Sequence, residues 1–248
     1  MQTTLREGMG KRPATRESSY QWLLFDADGT LFDYDRAEYS ALAQCFQEIG
    51  LVFNPEHLDA YRRINREQWQ ALERGETTPG VLKVRRFELL LQSIGAAHCA
   101  ATFSERYLER LGAGSELLEG AEEVVRALRK QHHIAILTNG LRSVQRSRLE
   151  RSAIRDCIDL VIISEEVGAA KPARAFFETA FARMGNPPPS QTLMIGDSWS
   201  SDIEGAAGYG AVCCWYNPAG LPRPAAPMIA HEIRSLRELA ALTNLSGS

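Results

Sequence analysis

Cysteine is scarce in this chain: five residues in 248, an odd number, with no Cys-x-x-Cys pair. That excludes a disulfide framework and a thiolate metal knuckle. Cys213 and Cys214 stand side by side in an apolar run, as buried thiols in a reducing compartment do, so the expected location is cytoplasmic. A surplus of charge is missing as well. Twenty-eight Lys and Arg face 31 Asp and Glu, for a net charge of -3. This leaves no basic footprint for nucleic acid and no polybasic patch for a membrane. No apolar run approaches the ~20 residues that span a bilayer. Residues 1–17 are polar and lack the apolar stretch of a secretory signal, so they are expected to form a disordered tail. Internal repeats are absent, and 218–227 is a proline-rich loop. What remains, 44% hydrophobic and 24% charged, is ordinary globular material. Its length suits one large domain, or a core plus a smaller one.

The pattern is organised around Leu23-Leu24-Phe25-Asp26-Ala27-Asp28-Gly29-Thr30. A short apolar run bounded by turn residues predicts a buried strand ending in two carboxylates. From 36 to 111 the periodicity is helical throughout, with no strand pattern of any length. After Gly112-Ala113-Gly114, helices at 121–130, 143–152, 173–184 and near 202–208 alternate with apolar runs at 134–138, 160–164, 193–197 and 211–215. A weak strand at 228–233 and a helix from about 235 close the chain. Alternating strands and helices predict right-handed crossovers and a parallel sheet covered on both faces. The expected fold is therefore α/β: a doubly wound parallel-sheet core, 18–35 and 112–248, with an inserted all-helical cap, 36–111. The joints near 32–36 and 111–114 are expected to hinge, with Gly112 and Gly114 absorbing the change.

Strand ends in a parallel sheet converge on one crevice. Here they bring together Asp26, Asp28, Thr138, Asn139, Asp197 and, in the following turn, Asp202. Lys171 stands beside Pro172 before a helix. Clustered carboxylates repel one another unless a cation lies between them, and hard oxygen ligands suit Mg²⁺. Phosphoryl transfer needs charge neutralisation and in-line positioning, which Mg²⁺, Lys171, the Thr138 hydroxyl and the Asn139 N–H would supply. A carboxylate can also accept a phosphoryl group covalently.

With Asp26-x-Asp28-Gly29-Thr30, Thr138-Asn139-Gly140, Lys171-Pro172 and Gly196-Asp197 with Asp202, the chain resembles the haloacid dehalogenase (HAD) superfamily, and the motifs stand in family order. The resemblance implies a Rossmann-like core with a helical cap. It implies Asp26 as nucleophile and Asp28 as acid and base. Mg²⁺ is held by Asp26, Asp197 and the Asp28 backbone carbonyl. Thr138, Asn139 and Lys171 grip phosphate, and Asp202 supports Lys171. Asp28 favours a phosphatase or phosphomutase over a dehalogenase, which has no phosphate leaving group to protonate. Phe25-Asp26-Ala27-Asp28, Tyr61-x-x-x-Asn65-x-x-x-Trp69, Arg86-Phe87-Glu88, Val144-Gln145-x-x-Arg148 and Ile163-Ser164-Glu165-Glu166 are similar to the bacterial pyrimidine 5′-nucleotidases. Two positions depart from that branch: Gly29, where it usually has Glu, and Trp199 in the last motif loop.

The expected activity is Mg²⁺-dependent hydrolysis of a nucleoside 5′-monophosphate. The partner is that small phosphorylated substrate, and the protein is a monomer or homodimer. Alternatives are a sugar-phosphate or phosphoglycolate phosphatase, a β-phosphoglucomutase-like mutase, or a non-catalytic phospholigand- or partner-binding protein. The intact Asp26, Asp28, Lys171 and Asp197 set argues against the last. Tyr61, Asn65 and Trp69 share a helix face, which can read a base or pack on neighbouring helices. Arg85-Arg86 read as a solvated charged face. His132-His133 stand at a helix end where cations suit the dipole, and read as structural. Glu165-Glu166 flank the Lys171 loop.

Overall fold

The computed structural model describes residues 20–225, 227 and 229–243. The expected disordered tail lies outside them. Six parallel strands form one sheet in the order β3-β2-β1-β4-β5-β6: β1 (Trp22–Phe25), β2 (His133–Thr138), β3 (Leu160–Ile163), β4 (Thr192–Gly196), β5 (Val212–Tyr216) and β6 (His231–Ile233). The expected strand at 228–233 thus contracts to three residues. The sheet is apolar on both faces because its strands alternate between two cores. Leu23, Phe25, Ile134, Ile136, Leu193 and Ile195 point to one. Trp22, Leu24, Ala135, Leu137 and Met194 point to the other. Cys214 and Cys213 divide between them in the same way. Each large apolar side chain among these contributes about 1.5–3 kcal/mol relative to exposure.

The helices α1 (Tyr34–Glu48), α2 (Pro55–Glu73), α3 (Pro79–Ser93) and α4 (Ala100–Ala113) follow β1 directly. Two of them start at a capping residue followed by proline. Asn54 caps α2 and Thr78 caps α3, each accepting a backbone N–H with its side chain, and proline takes the first helical position. These helices share a core of their own, containing Leu42, Phe46, Tyr61, Phe87, Phe103 and Tyr107. That core extends to Leu141 and Val144 at the start of α6 (Arg142–Arg151), after α5 (Ala121–Leu128). Gly112 and Gly114 are close-packing positions. A Cβ on Gly112 would lie 3.2 Å from Ser147 Cβ, and one on Gly114 2.8 Å from Ala37 Cβ. Neither has a left-handed φ.

The remaining helices are α7 (Ser164–Val167), α8 (Arg174–Arg183), α9 (Gly205–Tyr209) and α10 (Leu239–Leu242). A π-helical turn at Trp199–Glu204 precedes α9. Among the described residues no helix is long and apolar enough to cross a membrane. His132 does not serve the helix dipole as a cation. It is buried, its Nδ1 lies 2.8 Å from the Tyr20 carbonyl, and burial pushes its pKa down, towards the neutral ring.

Candidate active site

Register places the first chemistry. β1 pairs with β2 on one side and β4 on the other, so three strand ends lie at one level. Asp26 follows β1, with its N–H donating to the Ile195 carbonyl at 2.9 Å. Thr138 ends β2, and Asp197 follows β4. The turn after Asp26 needs glycine twice over at position 29. Its φ is +82°, and an added Cβ would sit 2.8 Å from Asp197 Oδ2. Thr30, which sequence reasoning left without a role, ties the two motifs together. Its hydroxyl donates to Asp197 Oδ1 at 3.2 Å and accepts from the Asp197 N–H at 3.1 Å.

Lys171 is 1% exposed. Its ammonium donates to Asp26 Oδ1 at 2.5 Å, Asp202 Oδ1 at 2.6 Å and the Leu137 carbonyl at 2.6 Å, so all three protons are used. Burial alone would lower its pKa, but the Asp202 and Asp26 charges outweigh that and hold it above the ordinary lysine value. Burial pushes Asp26 up to about 7, with Lys171 opposing and Asp202 adding to the rise. Asp197 opens onto the cavity yet lies deep among protein atoms. Burial, then repulsion from Asp26, pushes it up to about 7. Asp202 is also raised by burial, against the pull of Lys171. Asp26, Asp197 and Asp202 each offer an oxygen within 4.8 Å of the others. Three carboxylates thus face one ammonium. The deficit and the all-oxygen donor set fit a hard divalent cation.

Asp28 is gripped at both oxygens by α6. Gln145 Nε2 donates to Oδ2 at 2.5 Å, and the buried guanidinium of Arg148 donates to Oδ1. Arg148 also reaches the Leu111 carbonyl at 3.3 Å, where the helical insertion rejoins the core. A Cβ at Gly140 would collide with Gln145, which explains the glycine of the Thr138-Asn139-Gly140 motif. The sequence marked Gln145 and Arg148 as part of a pattern but gave them no partner. Asn139 spends its side chain on the Lys171 backbone, accepting from its N–H and donating to its carbonyl, both at 2.8 Å. What it leaves for a ligand is its own backbone.

These groups line a cavity of about 340 Å³, walled on the cap side by Tyr34, Asn65, Trp69 and Glu73. A second cavity of about 640 Å³ adjoins it and shares Trp69, Glu73, Asn139 and Lys171. The structure therefore divides the cap residues expected to meet substrate. Asn65 and Trp69 line the site. Tyr61 does not. It is wholly buried, with its hydroxyl donating to Tyr107 at 2.9 Å and its ring stacked on Phe87. Glu73, one further turn along the same stripe, was missed. Arg86 also corrects the sequence reading: it is buried in the insertion's core rather than solvated, whereas Arg85 is exposed and pairs with Glu88. Glu165 does more than flank the Lys171 loop. It pairs with Lys83 of α3 at 2.7 Å and accepts from the Arg142 N–H at 2.7 Å.

A family model described as haloacid dehalogenase-like hydrolase matches residues 20–210. The chain is 34% identical over 223 residues to the pyrimidine 5′-nucleotidase YjjG of Escherichia coli (strain K12), spanning 90% of this chain and 97% of that protein. It is 31% identical over 221 residues to the pyrimidine 5′-nucleotidase PynA of Streptococcus pneumoniae, spanning 89% of this chain and 93% of that protein. Its structure is similar to that of the HAD-hydrolase YfnB of Bacillus subtilis, solved bound to magnesium, with TM-score 0.85, 32% identity, and coverage of 91% and 99% of the two chains.

Proposed function

The chain belongs to the haloacid dehalogenase-like hydrolases, and from that membership we propose that it hydrolyses pyrimidine nucleoside 5′-monophosphates with Mg²⁺, through a phosphoryl group carried on Asp26. It is a phosphatase of the HAD type, and hydrolases of this family use a divalent metal. One observation carries the reading. Asp26 stands at the floor of the cavity with Oδ1 bonded to Lys171, and among the described residues Oδ2 has no hydrogen bond.

Oδ2 is the oxygen that attacks phosphorus while the bond to the leaving oxygen breaks. Asp28 gives that oxygen a proton. It later takes one from the water that attacks the acyl phosphate, and phosphate departs with Asp26 restored. The Thr138 hydroxyl and the Asn139 N–H hold the non-bridging oxygens, and Lys171, whose three protons are already placed, acts on them through its positive charge. Asp202 keeps Lys171 charged and in place. Asp26, Asp197 and the Asp28 carbonyl would hold Mg²⁺, which when bound neutralises charge on the phosphate. The substrate class is supported by the two nucleotidase relatives and by the half-buried indole of Trp69 beside the site. A phosphate-release screen across nucleoside monophosphates and sugar phosphates with Mg²⁺ tests it. Pyrimidine nucleotides are expected to lead; a sugar phosphate turned over tenfold faster than any nucleotide overturns the substrate assignment.

Trp69→Ala is expected to raise KM for UMP about 10–100-fold, because base stacking on an aromatic is worth roughly 1–3 kcal/mol. Glycerol 2-phosphate, which has no ring, is the comparison. A parallel loss on both substrates would mark Trp69 as packing only.

Metal binding is expected to depend on pH. Asp26 and Asp197 are pushed up to about 7 from the 3.8 of an unfolded carboxyl. A raised pKa means that the fold favours the protonated forms. These groups therefore remove stability as pH rises through that window, and Mg²⁺, which binds the ionised forms, restores it. Millimolar Mg²⁺ should raise Tm by several degrees at pH 8 and by less than half as much at pH 5.5. Thermal unfolding with and without metal checks this, and a larger gain at the lower pH contradicts it.

A further inference from the structure

Helix α2 turns Asn65, Trp69 and Glu73 to the cavity at four-residue spacing. Asn65 is 8% exposed, and half of its amide is already committed. Arg86 Nη1 lies 2.9 Å from Oδ1. A guanidinium only donates, so the amide atom facing it must be the oxygen, and the amide cannot flip. Arg86 is itself held rigidly. It is 1% exposed, donates also to the Tyr61 hydroxyl at 3.1 Å, and lies over the Phe87 and Tyr107 rings at 4.9 and 5.1 Å. Its Nε and Nη2 are buried without a hydrogen-bond partner among the described residues. A buried guanidinium so incompletely satisfied is a poor choice for stability alone. What Asn65 offers the cavity is therefore Nδ2, for which no acceptor stands among the described residues.

We infer that Asn65 is a fixed hydrogen-bond donor that reads the C2 carbonyl of a pyrimidine leaving group, and that Arg86 is the positioning residue that fixes it. This rests on the nucleotide reading above and deepens it. Uracil, thymine and cytosine differ at C4 and C5 but share the C2 carbonyl, so one locked donor accepts all three. Purines present N3 as an acceptor at the corresponding edge, so this donor by itself does not exclude them. Sugar hydroxyls both donate and accept, so a locked donor discriminates among them weakly. Trp69 supplies the flat wall beside the ring.

Asn65→Asp keeps the shape and reverses the polarity: one oxygen pairs with Arg86, which favours folding, and the other faces the cavity as an acceptor. The added charge repels every phosphate ester, so kcat/KM for UMP and CMP is divided by that for phenyl phosphate. Wild-type activity on UMP comes first, and its absence refutes the nucleotide reading before any variant is made. Given that activity, both ratios are expected to fall about 10–100-fold. Asn65→Ser, which shortens the donor, should lower both ratios as well. Unmoved ratios, or a fall for UMP with none for CMP, overturn the inference. Arg86→Lys keeps the charge but loses the planar fork, and should raise KM for UMP more than it lowers kcat. Equal changes in both would make Arg86 a structural residue only.

Discussion

Asp26→Asn is expected to reduce steady-state phosphate release by at least about 10⁴-fold while the protein stays folded. The amide has the shape of the carboxylate, so Oδ1 can still accept from Lys171. On the proposed mechanism it has lost the nucleophile, and removing the group that forms the covalent bond removes the pathway rather than slowing it. Stability should change little, because two effects oppose each other. The variant gives up the attraction between Lys171 and a charged Asp26. It also removes a buried charge that Asp202 and Asp28 repel. Rapid-quench phosphate release and thermal unfolding measure the two halves. A folded variant keeping more than about 1% of wild-type turnover would rule out Asp26 as the nucleophile.

That Asp26 can be singled out reflects what a sequence states well. Strands buried on both faces need unbroken apolar runs, and β1, β2 and β4 have them, so their ends and the residues there were legible. The helical insertion was legible for the converse reason: nothing within it alternates. What stayed hidden was whatever depends on which face a helix turns inwards. Tyr61, Asn65, Trp69 and Glu73 share one stripe by spacing, yet Tyr61 enters the aromatic core and Glu73 reaches the cavity. Only packing against Phe87 and Tyr107 decides where along the helix burial ends. Arg86 was hidden because an arginine in a helix pattern reads as surface. Its neighbours in space are tyrosines from other helices, which local sequence does not contain. The grip of Gln145 and Arg148 on Asp28 joins positions 117 and 120 residues apart, and helix spacing carries no trace of it.

Lys171→Met should be the most damaging single change to the molecule as a whole, because it breaks activity and stability together. Methionine fills the space but leaves Asp26 and Asp202 facing each other without a cation, and the Leu137 carbonyl without its donor. Breaking a buried ion pair from one side typically costs about 3–5 kcal/mol, since the abandoned charge stays buried. In a chain of this size each kcal/mol shifts Tm by about 2–4 °C, so a fall of roughly 6–20 °C is expected near pH 8. The sign of the pH dependence follows from the carboxylates left behind. Burial already raises both, and Lys171 is what opposes that rise. Without it their folded pKa values climb further above the unfolded 3.8. The fold then binds protons more tightly than the unfolded chain, and stability is lost as pH rises through the raised values. The Tm deficit should therefore shrink at pH 5.5. It should also shrink in the Lys171→Met, Asp202→Asn double variant, which removes one of the stranded charges, while turnover stays below about 10⁻³ of wild type because the positive charge that faces the phosphate in the proposed mechanism is still missing. A deficit that is independent of pH and untouched by the second substitution would mean that Lys171 acts here by packing and not by charge.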